Sequence, residues 1–460
     1  MSKLIKSLDL CRLIIDLTAP IIIFTMILIS QYYDVTFISG FGISIDSYYV
    51  TCRLILLLLL SLCLIASRDY FSFTGLYIFE YSLLILLSVE GSLIILSTDN
   101  LFLFFLALEL QNLAFYVLAS IKRYSNFSTE AGLKYFLFGA FSSSLVLFGI
   151  SIVYGMFGTL NINEINLLYH AYLMEFSDMP LLFIAGFFIT CGLLFKLGSS
   201  PFHWWLPDVY QGSPIVVTMF FSVVPKFVLL FVLAKYFFVL LHFNQHFIST
   251  LFFICGLLSL YFGGINALFQ YNLKRFLAYS AIVNIGYILL AFSLFTLEGV
   301  IAGIIYLVTY LSSLIVLFFF IINNRNIQYN KINDVFDFSL IFSSNKLYAV
   351  IVSFLFFSLA GIPPLVGFFG KFFVFVSYAM DFSLFTLLLI LLITVFTAFY
   401  YIRIVRYVYF TPSYSNSIFN SYGLSYIFVS LFLFNILFLF FIDFISEYFN
   451  LFFINYFFII

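Results

Sequence analysis

Long apolar runs follow one another along the chain, divided by short polar or Pro/Gly breaks. They fall near 12–30, 49–66, 75–97, 100–121, 132–155, 181–200, 214–239, 249–269, 273–294, 298–322, 346–374, 383–410 and 424–446. A helix needs about 20 residues to cross a hydrocarbon core of about 30 Å. The pattern therefore predicts an all-α, polytopic membrane helix bundle of about thirteen transmembrane helices. The runs are continuous rather than alternating, which excludes a β-barrel. The longest connections, 156–180 and 323–345, are too short to hold a soluble domain. Residues 1–460 are thus expected to form a single transmembrane domain. The first run follows Lys3, Lys6 and Arg12. It is long for a signal-peptide core and lacks a small-residue cleavage site, so it is expected to be a retained first span.

Composition agrees with the pattern. Of the 460 residues, 64% are hydrophobic and 8% charged, against roughly 25% charged in a soluble domain. A water-soluble enzyme, a nucleic-acid binder and a disordered chain are excluded. The net charge of −1 says nothing about partners. Cys11, Cys52, Cys63, Cys191 and Cys255 form no C-x-x-C pair. They read as small buried hydrophobes, with no disulfide framework and no metal or cluster site.

The basic residues are distributed unevenly. With the connections alternating between two sides, one side or its flanks receives Lys3, Lys6, Arg12, Arg68, Lys122, Arg123, Lys274, Arg275, Arg325, Lys331, Lys346, Arg403 and Arg406. The loops of the other side receive none, although 156–180 holds Glu164, Glu175 and Asp178. A wrong span count would scramble this asymmetry. It predicts an N-terminus on the positive side, cytoplasm or matrix, and a C-terminus opposite.

The remaining basic residues lie within spans: Arg53, Lys134, Lys196, Lys226, Lys235 and Lys371. Arg53 and Lys235 sit near span ends, where a long side chain can snorkel to the interface. Lys134 starts its span and could do the same. Lys196, Lys226 and Lys371 lie deeper, as does Glu109 in 100–121. Each deep charge costs about 2.5–3.5 kcal/mol even on a lenient insertion scale. Buried ion pairs that merely hold helices together rarely offset that cost. A transport role is therefore favoured. Burial favours the neutral amine and a nearby carboxylate favours the charged one, so a lysine whose carboxylate partner can move is a protonatable switch.

Two of these lysines stand beside helix breaks. FKLGSSPFHWWLPDVYQGSP (195–214) carries Gly198, Pro201, Pro207, Gly212 and Pro214. FSLAGIPPLVGFFGKF (357–372) carries Gly361, Pro363 and Pro364 just before Lys371. Irregular backbone at membrane depth is tolerated where it lines a cavity or is packed in protein. Lysine precedes the prolines in the first segment and follows them in the second, the mirror order of an inverted repeat. His203 lies in the first break, either as a proton relay or as a satisfied polar side chain in a kinked helix.

LELQNLAFYVLAS (108–120), EAGLKYFLFGAFSSS (130–144), residues 195–214, VVPKF (223–227), NLKRFLAYSAIVNIGY (272–287) and residues 357–372 together resemble a known family. It is the chain 2 family of the antiporter-like subunits of proton-pumping NADH–quinone oxidoreductase, respiratory complex I. The resemblance runs from about residue 75 to 410. PFHWWLPDVYQGSP sets this family apart from its paralogues, chains 4 and 5.

The resemblance implies two inverted five-helix repeats, each with a broken helix. They would occupy about 75–240 and 249–410, with flanking helices in 1–74 and 411–460. It implies proton-translocation roles for Glu109, the carboxylate partnering the first-repeat lysine Lys196, and for Lys226, the connecting lysine. It implies the same for Lys371 on the second broken helix, for Lys134, and for His203 as a relay. No cofactor is expected on this chain: NADH, FMN, iron–sulfur clusters and ubiquinone would belong to the parent complex. Expected partners are the neighbouring antiporter-like chain 4, small membrane subunits, and lipids such as cardiolipin, with no nucleic acid. The expected location is the mitochondrial inner membrane, with bacterial plasma membrane or thylakoid as alternatives. A stand-alone cation/proton antiporter and a structural subunit without pumping are the alternative functions. Bacterial members usually have fourteen helices, so this chain is expected to lack the first. Glu90 stands in a span where the family usually has a small or apolar residue. The apolar tail 450–460 is too short to span.

Overall fold

The computed structural model describes residues 20–27, 38–40, 42–45, 47–74, 80–172, 180–239, 245–326, 334–381, 384–411 and 418–420, with isolated positions besides. The N-terminal basic residues and the tail 450–460 lie outside the described residues, as do most of the 12–30 and 424–446 runs. The described residues are mostly helical, with two pairs of three-residue strands. β1 (Ile38–Gly40) pairs antiparallel with β2 (Ile43–Ile45), and β3 (Asn324–Asn326) with β4 (Ile418–Asn420).

The helices are α1 (Ser47–Thr74), α2 (Glu80–Ser97), α3 (Leu101–Ala119), α4 (Asn126–Phe157), α5 (Ile162–Tyr172), α6 (Pro180–Leu197), α7 (Trp205–Gly212) and α8 (Ile215–Val239). They continue as α9 (Gln245–Phe269), α10 (Leu273–Ser293), α11 (Leu297–Asn323), α12 (Ser339–Ser344), α13 (Lys346–Ala360), α14 (Val366–Asp381) and α15 (Leu384–Phe410). Nine of the described helices are long and apolar enough to cross a membrane. The apolar runs at 181–200 and 346–374 instead fold as shorter helices interrupted by breaks.

Local chemistry sets the helix ends. The side chains of Asn100, Ser125, Asn272 and Asn345 accept hydrogen bonds from the first free backbone N–H groups of α3, α4, α10 and α13. The Ser125 cap starts α4 some six residues before the apolar run does. Arg403 donates to the carbonyls of Leu268 and Gln270 at the end of α9, where a cation suits both the unpaired carbonyls and the helix dipole. The connection 156–180 is not plain loop, since α5 occupies much of it.

The chain gathers into two compact units, one built from Met1–Gly198 and Gly212–Thr250, the other from Ser199–Gln211 and Leu251–Phe453. In the first, α3 packs on α2 and α4, α4 on α6, and α8 on α1 and α2. In the second, α11 packs on α14 and α10, and α13 on α15. The outward face of α4 shows Leu133, Phe136, Leu137 and Phe141, and that of α15 shows Leu392, Val395, Phe396 and Phe399. Such apolar faces suit lipid or neighbouring membrane helices rather than water.

Candidate functional site

In the first unit, α6 ends where Gly198 takes the left-handed conformation, φ +74°. A residue with a Cβ is disfavoured there, and the chain leaves the helix axis. Lys196 is therefore on the last turn of a broken helix. Its Nζ is buried without a hydrogen-bond partner among the described residues. Glu109, half-buried on α3, accepts a hydrogen bond from Asn112 Nδ2 at 3.2 Å. It lies within electrostatic reach of Lys196, with no direct ion pair between them.

Lys226 is 3% exposed on α8 and directly follows Pro225. A proline inside a helix withdraws one backbone donor, leaving the carbonyl four residues earlier without its usual partner. Polar backbone is thus freed one turn from a buried lysine. Lys134 sits differently: it is partly exposed and pairs with Glu130 one turn back, at 2.7 Å. Arg53 lies near the start of α1, its guanidinium carbon 5.7 Å from the ring centroid of Tyr49.

Lys235 departs from the snorkelling expectation. It is buried, pairs with Asp99 at 2.8 Å and donates to the Thr98 carbonyl at 3.1 Å. Asp99 is held in turn: its N–H donates to the Gly42 carbonyl, and its carbonyl accepts from Ile162 N–H. A carboxylate 136 residues away in sequence makes burial tolerable where water would otherwise have been needed.

In the second unit, α13 ends at Gly361, φ +86°. Pro363 and Pro364 then forbid a straight continuation. Lys371 turns back onto this break, donating to the carbonyls of Ala360 at 2.9 Å and Leu359 at 3.3 Å. His203 is buried, its ring stacked on Trp204 and Phe262. Nearby on α7, Asp208 pairs with Arg275 of α10 at 2.7 Å, and Lys274 donates to the Gln211 carbonyl.

A buried hydroxyl and amide cluster escaped the sequence reasoning. Tyr306 donates to Asn284 Oδ1 at 2.7 Å, Asn284 Nδ2 reaches the Tyr401 hydroxyl at 3.5 Å, and Tyr287 shares a bond with Thr397 at 3.2 Å. Polar residues recurring within otherwise apolar spans were the available signal. Among the described residues no group of three His, Cys, Asp or Glu is placed to hold a metal ion.

Residues 98–397 match the family model described as NADH:quinone oxidoreductase/Mrp antiporter, TM. The chain belongs to this family. Within it, the chain is 38% identical to NADH-ubiquinone oxidoreductase chain 2 of Marchantia polymorpha over 371 residues, 80% of this chain and 75% of the relative. It is 37% identical to NADH-quinone oxidoreductase subunit N of Pelagibacter ubique over 347 residues, 75% of this chain and 72% of the relative. Its fold is that of a chain of Thermus thermophilus respiratory complex I, with a TM-score of 0.75, 24% identity and coverage of 95% and 96%. A chain of the Mrp complex from Dietzia shares the fold with a TM-score of 0.74, 22% identity and coverage of 90% and 77%. It is thus a membrane-embedded, antiporter-like member of the chain 2 or subunit N group. Glu109, Lys134, Lys196, His203, Lys226 and Lys371 all lie within the matched segment.

Proposed function

We propose that this chain is the proton-translocating chain 2 subunit in the membrane arm of an NADH–ubiquinone oxidoreductase. Protons would move through Glu109, Lys196, Lys226 and Lys371, with Lys134 at the edge of the path and His203 as a relay in the first break. The observation that carries the reading is Lys196: a buried ammonium on the last turn of a broken helix, in electrostatic reach of Glu109 yet not locked to it. A dry ammonium held by a distant carboxylate gives up its proton when that carboxylate withdraws. A purely structural ion pair needs closed geometry to offset desolvation, and this pair is not closed.

The same reading gives about thirteen spans in two inverted five-helix repeats and places the N-terminus in the matrix of a mitochondrial inner membrane. It makes chain 4, small membrane subunits and cardiolipin the neighbours. On this reading NADH, FMN, iron–sulfur clusters and ubiquinone belong to other subunits. The test is a native gel of detergent-solubilised membranes, followed by proton-flux measurement. The chain should migrate with NADH-oxidising activity. Migration alone would support a stand-alone antiporter, and co-migration with unchanged proton flux after Lys196→Met would support a structural subunit.

A further inference from the structure

Lys371 lies in the second unit on α14, and its contacts are unlike those of an ion-paired lysine. The carbonyls of Leu359 and Ala360 that accept from Nζ are the last of α13. End carbonyls have no partner within their helix and carry the negative end of its dipole. Gly361 makes the approach possible, since a Cβ there would stand 2.9 Å from Lys371 Cδ and 3.3 Å from Nζ. The ammonium also sits over the ring of Tyr287, 5.0 Å from its centroid. Among the described residues no carboxylate pairs with Lys371.

Tyr287 is itself fixed on several sides. Its hydroxyl meets Thr397, and its ring meets the ring of Tyr306 edge-on at 5.5 Å. Tyr306 is held by its bond to Asn284, and Asn284 reaches Tyr401. All of these side chains are buried. Gly370 presses α14 against this wall: a Cβ on it would come within 2.8 Å of the Tyr306 ring.

We propose that Tyr287 is a positioning residue for Lys371, its ring face and the end carbonyls of α13 together holding the ammonium at the break as a carboxylate would in an ion pair. The proposal rests on Lys371 carrying protons, as read above. A ring face attracts a cation through its quadrupole and holds a neutral amine far less. The carbonyl cage behaves similarly: a neutral amine could still donate to both carbonyls, but only the ammonium adds the attraction of a full charge to their dipoles. The site therefore grips the charged lysine and loosens its hold on the neutral one, without adding a formal negative charge to a dry region.

Sealed membranes carrying the assembled complex give the test, read as the rate of proton pumping per assembled complex, with NADH–quinone turnover measured alongside. Tyr287→Leu and Tyr287→Met remove the ring face while keeping apolar bulk. At normal assembly each should lower pumping by about thirtyfold, the fold-change that corresponds to a desolvated cation–π contact. Tyr287→Phe keeps the face and should restore most of the pumping. In a Lys371→Met background, Tyr287→Leu should add no further loss, since the two act as one unit. Wild-type pumping in the Leu and Met variants would overturn the proposal. A Phe variant as poor as Leu would overturn it too, by assigning the role to the hydroxyl. Failure of both Leu and Met variants to assemble would also overturn it, by making the ring a packing element. Normal pumping by Lys371→Met alone would instead remove the reading on which the proposal rests.

Discussion

Lys235 and Asp99 meet in a buried ion pair of 2.8 Å that ties the end of α8 to the corner between α2 and α3. Breaking such a pair strands one charge, at a cost of about 3–5 kcal/mol, whereas replacing both partners with apolar residues is often neutral. Lys235→Met or Asp99→Leu alone should therefore lower the thermal stability of the complex and its steady-state level. The double replacement should recover much of both. Thermal denaturation of solubilised complex is the measurement, and additive losses would refute the coupling.

Glu109 and Lys196 form no direct ion pair, so their coupling is a matter for measurement. Glu109→Gln removes the charge that Lys196 senses, and Lys196→Met removes the ammonium. Each should suppress proton pumping severely, with NADH–quinone turnover following where coupling is tight. The double change should be non-additive. Pumping and turnover in single and double variants at matched assembly decide this. Near-normal pumping in Lys196→Met would remove the pair from the pathway.

Gly361→Ala should disable the second break. The new Cβ would enter the space of the Lys371 side chain and take a left-handed backbone that costs about 1–2 kcal/mol outside glycine. Proton pumping should drop while the complex still assembles on a native gel. Loss of the whole complex on a native gel would mark Gly361 as a folding residue instead.

The sidedness follows from the basic loops. Cysteines introduced at Ser125 and at Glu164 flank α4, so labelling of sealed vesicles should reach them from opposite faces. Ser125 and Gln270 should share the positive face. Labelling of Ser125 and Glu164 from one side would dismantle the span assignment.

Lys134 should matter less than the deeper lysines. It is partly exposed and paired with an exposed Glu130, a contact worth about 0.3–0.5 kcal/mol. Lys134→Met should leave assembly intact and reduce pumping by less than Lys196→Met does, measured in the same membranes.

The sequence alone determined the helical class, the family, the two breaks and the presence of Lys196, Lys226 and Lys371 within apolar segments. Hydrophobicity acts residue by residue, proline and glycine act on their own turn, and a lysine amid apolar neighbours is conspicuous without any partner being known. Tertiary structure decided the company each charge keeps. Lys235 looked free to reach the interface because nothing local marks Asp99 as its partner. Lys371 lacks a sequence-near carboxylate, and packing supplied carbonyls and the Tyr287 ring in its place. The cluster of Asn284, Tyr306 and Tyr401 showed in the sequence only as polar residues scattered in apolar spans: its members stand on three helices, and only the packing of α10, α11 and α15 brings their polar ends into one buried volume.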